Sequence, residues 1–162
     1  MSDTKAAAQE YLQTNNVEQL IQECLDEVIK TKPDDVFGVL SRLFKKKASQ
    51  PTIERLVGRE VLDSRGNPTV ETDVYVQYLG EEEFAGRSSA PSGASTGSNE
   101  ARELRDKDSP RYCGKGTATA AANVTNILGP ALKGLTLDNL KALDDKICET
   151  DGTELKEKVG GN

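Results

Sequence analysis

An α+β chain built from two unlike parts is predicted by three observations. Apolar residues from Val17 to Ile29 recur at helical spacing, and those from Thr69 to Val76 alternate with polar ones. The first pattern places side chains on one helical face, the second on one face of a half-buried strand. Beyond Pro51, three strand candidates come before three helix candidates, the order of a segregated α+β domain.

The helical part comes first. Ala6 to Leu12 suits a short helix with Tyr11 and Leu12 available for packing. Val17, Leu20, Ile21, Cys24, Leu25, Val28 and Ile29 then share one face of a longer helix. Asn15-Asn16 is the expected N-cap, and Glu18 suits the positive end of the helix dipole. Pro33 cannot continue this helix but fits the first turn of the next, with Asp34 and Asp35 beside it. The second helix carries Val36, Val39, Leu40 and Leu43 in one stripe, flanked by Phe37 and Phe44, and ends in Lys45-Lys46-Lys47. The product is a helical hairpin spanning 1–48, too small to bury its apolar face alone. Two arrangements are open: two copies form a four-helix bundle, or the hairpin packs on the rest of its own chain.

Residues 49–52 read as a linker, and 53–162 as a second domain. Ile53 to Leu62 is the first strand, Asp63 to Pro68 a turn, and Thr69 to Val76 the second strand. Gly80 to Glu83 turns the chain into a third strand, Phe84 to Ser88, which gives an antiparallel meander. Asn99 to Leu104 can start a helix, and Thr117 to Leu128 forms one that Gly129-Pro130 ends. Asp138 is the expected cap of the last helix, where Leu140, Leu143 and Ile147 recur.

Composition narrows the chemistry. A net charge of −6 argues against nucleic acid as the main partner, and the Lys45 cluster reads as a solvated helix end. No apolar run approaches the ~20 residues that span a bilayer, so no membrane partner is expected. The start of the chain lacks the apolar core of a signal peptide. Cys24, Cys113 and Cys148 are odd in number and lack metal-type spacing, which suits free thiols in the cytoplasm. With no histidine, the chain cannot build Ser-His or Cys-His nucleophile pairs or imidazole metal sites.

Two strings carry the functional signal. Asp63-Ser64-Arg65-Gly66-Asn67-Pro68-Thr69-Val70-Glu71 precedes Pro91-Ser92-Gly93-Ala94-Ser95-Thr96-Gly97. Glu100-Ala101, Leu104-Arg105-Asp106, Arg111-Tyr112, Gly114-Lys115-Gly116, Asp151 to Glu154 and Gly160-Gly161-Asn162 follow in order. From Thr52 to Asn162 this series resembles the N-terminal domain of enolase, the magnesium-dependent dehydratase of 2-phosphoglycerate. The resemblance implies that Ser92, Gly93, Ala94, Ser95, Thr96 and Gly97 form a loop closing over substrate, with Ser95 an oxygen ligand to Mg2+. Glycine lets backbone approach a phosphate, and a serine oxygen is a hard ligand. In enolases the catalytic lysine, glutamate and metal carboxylates belong to a following barrel. None lies in this sequence, so no catalytic residue is assigned here and these 162 residues alone are expected to be inactive. Arg59 and Glu71 match positions that pair with a partner subunit's barrel, and without it they read as exposed charge. Asp63, Arg65 and Asn67 are expected to fix the first turn, and Asp144-Asp145 to be solvated.

The hairpin brings a second resemblance. Tyr11-Leu12, Val17 to Ile29, Lys32-Pro33-Asp34-Asp35-Val36 and Leu40 are similar to dimerisation-docking hairpins of the RIIa and Dpy-30 type. That resemblance favours a homodimer and implies a groove for an amphipathic helix of an anchoring or axonemal protein. The combination resembles enolase-4-like proteins of motile cilia and sperm flagella. A docking subunit of an axonemal assembly is therefore the first functional expectation. The alternative is the front of a full-length phosphopyruvate hydratase, tethered by its hairpin; the intact Ser92 to Gly97 string argues for such a longer protein.

Overall fold

The computed structural model describes residues 2–93 and 97–162, with side chains described from Lys5 onward. It divides into two units, Met1–Ala48 and Ser49–Asn162.

The first unit holds α1 (Ser2–Thr14), α2 (Val17–Thr31) and α3 (Val36–Lys47). Helix α1 is longer than the expected Ala6–Leu12 segment. Asn15 and Asn16 act differently from the expected cap. Asn16 is left-handed at φ 50°, a conformation Asn tolerates, and makes no side-chain cap bond; Asn15 Nδ2 instead donates to Tyr11 O at 2.9 Å, closing α1. Pro33 also lies outside the helix it was expected to open. Asp35 is the N-cap, its Oδ1 accepting from Gly38 N at 2.8 Å, so α3 begins only at Val36. Lys47 Nζ, at the end of α3, reaches back to Glu23 on α2 at 2.8 Å.

In the second unit β1 (Thr52–Leu62), β2 (Pro68–Tyr78) and β3 (Glu81–Ser89) form an antiparallel sheet in that order. Arg59 lies opposite Glu71, and Glu71 opposite Ser89. Bulges at Ile53/Arg55 and Val74/Tyr75 locally shift the register. Helices α4 (Ala118–Asn123) and α5 (Gly129–Leu132) are joined by a π-helical turn, Val124–Leu128, and α6 spans Leu140–Asp151. Ile53, Leu56 and Val70 from the sheet meet Ala120, Ala121, Val124, Leu132 and Leu143 in the core. Gly58 permits this approach, because a Cβ there would sit 2.3 Å from Ala121 O. Its N–H is taken by Thr125 Oγ1 at 2.9 Å.

Three sequence expectations fail here for physical reasons. Asn99–Leu104 is not helical, because its backbone is claimed from elsewhere. Arg102 N donates to Leu155 O at 2.7 Å, Gly161 N donates to Arg102 O at 2.8 Å, and the Asn162 amide brackets Leu104 N and O at 2.8 and 3.2 Å. Gly129-Pro130 does not end the helix; after the π-helical turn, Pro130 falls at the start of α5, where a missing N–H is tolerated. Asn139, not Asp138, caps α6 by accepting from Ala142 N at 3.0 Å, while Asp138 accepts from the Thr136 hydroxyl. Among the described residues, no helix is long and apolar enough to cross a membrane.

Candidate functional site

The site grows from the turn between β1 and β2. Asp63 Oδ1 accepts from Arg65 N and Asn67 N, both at 2.8 Å, and Gly66 adopts φ 79°. The Asn67 amide, then those contributed by Arg65, hold the Asp63 carboxyl below its usual range against the opposing effect of burial. This turn aims Arg65 across to the second string: its Nη2 donates to Ser92 O at 2.6 Å and to Gly93 O at 3.4 Å. Just before them, Thr69 Oγ1 donates to Ala90 O at 2.6 Å and Ala90 N to Val70 O at 2.9 Å. The two sequence strings are therefore one structure, with the first turn gripping the base of the loop that follows.

A second grip comes from the irregular segment after the loop. Ser92 Oγ donates to Glu103 Oε1 at 2.5 Å, while Arg105 Nε and Nη2 donate to Glu103 Oε2 at 3.1 and 2.7 Å. Arg105 is largely buried, and its Nη1 donates to Pro68 O at 2.6 Å and Lys115 O at 2.8 Å. Burial pushes the Glu103 carboxyl upward, but the Ser92 and Arg105 hydrogen bonds outweigh it and leave the group below its ordinary value. On the far side of the loop, Gly97 N donates to Glu100 Oε2 at 2.8 Å. A depression of about 360 Å³ opens between this network and the residues Asn67 and Lys115.

Of the expected loop residues, Ser92, Gly93 and Gly97 are placed in this way. Ala94, Ser95 and Thr96 lie outside the described residues. Among the described residues, no three acidic, histidine or cysteine side chains converge as a metal site would require, so they do not by themselves fit a magnesium ion. Glu103 was not singled out by sequence reasoning; it lies in the stretch expected to be helical, where no pairing with Ser92 could be read.

Two further polar clusters flank the stem. Glu60 accepts from Arg111 Nη2 at 2.5 Å and from Thr117 N at 2.6 Å, and Asp106 accepts from Ala118 N at 2.8 Å. Both carboxylates are consumed in tying down the start of α4, so in the wider depression of about 590 Å³ Asp106 has a structural task, while Lys107 and Asp108, which also line it, are exposed. On the sheet, Arg59 and Glu71 are not the unpaired exposed charges expected. Arg59 Nη1 donates to Glu71 Oε1 at 2.8 Å and its Nη2 to Asp73 Oδ2 at 2.5 Å. Arg87 Nε and Nη2 hold the other side of Asp73 at 2.6 and 2.9 Å. Asp73, only 1% exposed, is thus enclosed by two guanidiniums, and Arg87 first, then Arg59, hold its carboxyl far below the usual range. Asp144 and Asp145 are both exposed, and Asp145 pairs with Lys141.

In the first unit, the expected docking residues separate by exposure. Cys24 is fully buried; Val17, Leu20, Val28, Val39, Leu40 and Leu43 are half-buried; Ile21, Leu25 and Val36 are exposed, alongside Ile29 and Phe44. Phe37 is 85% exposed.

Comparison with known proteins gives two findings. The family model "Enolase, N-terminal domain" matches residues 53–162. "Enolase B" of Dictyostelium discoideum is 51% identical over 111 residues, which cover 68% of this chain and 24% of that protein. The chain thus spans about a quarter of the length of the relative it matches.

Proposed function

The chain belongs to the enolase family, whose N-terminal domain occupies residues 53–162, and from that premise we propose that it is the loop-bearing front of a phosphopyruvate hydratase acting on 2-phosphoglycerate. The observation that carries this reading is the double grip on the loop stem, Arg65 on the Ser92 and Gly93 carbonyls and Glu103 on the Ser92 hydroxyl. A surface connector has no need for an arginine on its carbonyls and a paired carboxylate on its hydroxyl to fix its direction. An enzyme loop does, because a reacting geometry tolerates little misplacement. This order reverses the first sequence expectation, in which the docking role stood ahead of the enzyme.

In this proposal, the residues of this chain orient rather than react. Arg65, Glu103 and Arg105 hold the stem so that the loop is delivered to the substrate from one direction. Ser95 is proposed as this chain's contribution to magnesium ligation, and the ion supplies charge stabilisation when bound. Acid, base and the other metal ligands belong to the rest of the protein. The test is the intact endogenous polypeptide, by mass and by conversion of 2-phosphoglycerate to phosphoenolpyruvate. A mass in the range of a whole enolase with turnover supports the reading; a mass of 17.5 kDa without turnover overturns it.

The exposed apolar residues of the first unit favour a second role alongside the first. A unit of this size that, among the described residues, fully buries Cys24 alone of its hydrophobic side chains, while Ile21, Leu25, Ile29 and Phe37 stay exposed, gains its core by association. We propose that it forms a homodimer and receives an amphipathic helix of an anchoring protein, in the cytoplasm and on a ciliary or flagellar axoneme. Leu25→Asp and Leu40→Asp should each convert the protein to monomer in light scattering; a variant that stays fully dimeric would count against the proposal.

A further inference from the structure

The depression at the loop stem is lined by more hydrogen-bond donors than the fold uses. Arg65 spends only its Nη2 on Ser92, Gly93 and Asp63, and among the described residues its Nε and Nη1 make no hydrogen bond. Among the described residues, the Lys115 ammonium and the Asn67 side-chain amide, which border the same depression, also make none, and neither do the Ser92 and Gly93 backbone N–H groups. The one carboxylate in the lining, Glu103, has both oxygens occupied by Ser92 and Arg105. Three cations therefore border a concave space in which the single anion is already committed. Uncommitted cationic donors beside a committed carboxylate are the chemistry of an oxyanion site, with the neutral Asn67 amide able to turn its NH2 toward the anion and adjacent backbone N–H groups strengthening it. The volume, about 360 Å³, exceeds the roughly 30 Å³ share of a water molecule many times over and admits a tetrahedral phosphate.

We propose that Arg65, Asn67 and Lys115 form a binding subsite for a phosphate-type oxyanion beside the loop stem. The subsite stands on the donors themselves, and it rests on the proposed enzyme only for the choice of a phosphomonoester as its ligand. Arg65 gives the site its consequence. The same guanidinium that would grip the anion already grips Ser92 and Gly93, so occupancy and the position of the stem are coupled. A phosphorylated acid entering here would be held against the element that the proposed reaction needs fixed.

The test is an NMR titration of the intact protein with arginine side chains isotopically labelled, at constant ionic strength. Arg65→Lys identifies the Arg65 Nε–H signal. Inorganic phosphate should move that signal saturably, chloride should not, and Lys115→Gln should weaken the apparent affinity about tenfold. Lys115 is exposed, so its substitution should leave the fold intact. Repeating the titration with 2-phosphoglycerate in the parent and in Lys115→Gln separates the sources: a tighter response than phosphate that Lys115→Gln weakens assigns a phosphomonoester, an equal one that it weakens assigns free phosphate, and a response that it leaves unchanged reports substrate in the catalytic site and counts against the subsite. A silent Arg65 signal, a drift without saturation, or identical curves in Lys115→Gln would overturn it. Saturation in a protein without dehydratase activity keeps the subsite and rejects the enzyme reading; activity with a silent Arg65 does the reverse.

Discussion

Asp73 and Gly58 show how much rests on single positions. The period of two along β2 places Glu71 and Asp73 on one face, which in isolation reads as solvated charge. Pairing brings Arg59 from β1 and Arg87 from β3 around Asp73, and no sequence pattern announces that enclosure. Its folded-state pKa is depressed, so the associated stability is present above the unfolded value of about 4 and is lost as pH falls toward the folded value. Asp73→Asn should lower the melting temperature at pH 7 and flatten the loss of stability below about pH 4, read from melts across that range. An unchanged acid limb in the variant would mean other carboxylates dominate. At Gly58, the missing Cβ matters because Ala121 O occupies its place. Gly58→Ala should cost about 1–3 kcal/mol in denaturant unfolding through forced separation of α4 from the sheet. A variant as stable as the parent would show that α4 shifts freely there.

At the level of elements, local propensity set the strands and most helices, and tertiary hydrogen bonds overrode it in one segment. Asn99–Leu104 has helix-forming residues, yet Leu155, Gly161 and Asn162 supply partners for its non-helical backbone. That choice matters for the site, since in this non-helical form Glu103 meets Ser92 while Arg105 reaches Pro68 O. Asn162→Ala removes both bonds to Leu104 and should cost about 1–3 kcal/mol. Hydrogen exchange at Leu104 should then rise about tenfold or more, whereas unchanged protection would show that the Asn162 side chain does not protect the Leu104 N–H. The π-helical turn is another tertiary decision. Gly129-Pro130 reads as a stop, yet the turn carries the helix through and places Thr125 Oγ1 on Gly58 N.

For the molecule as a whole, the prediction concerns incompleteness of the site. The described residues hold a positioned loop stem and no converging metal ligands, so residues 1–162 alone should produce no phosphoenolpyruvate, while the intact protein should. Continuous absorbance of the product checks both; turnover by the short chain would place acid and base within it and sink the proposed division of labour. The sequence by itself determined the α+β class, the meander, the helical periodicities and the enolase-type strings, because periodicity, turn chemistry and ordered motifs are local properties of a chain. It also determined that Asp63 and Arg65 would organise their turn, since those bonds span only a few residues, whereas Asn67 takes part through its backbone N–H and not through the side chain that was expected to help. Only the tertiary structure decided that Arg65 reaches Ser92, that Glu103 receives it from the other side, and that Asp73 lies between two guanidiniums. Those contacts join residues far apart in the chain, and their existence depends on strand register and on which backbone groups were left to be satisfied.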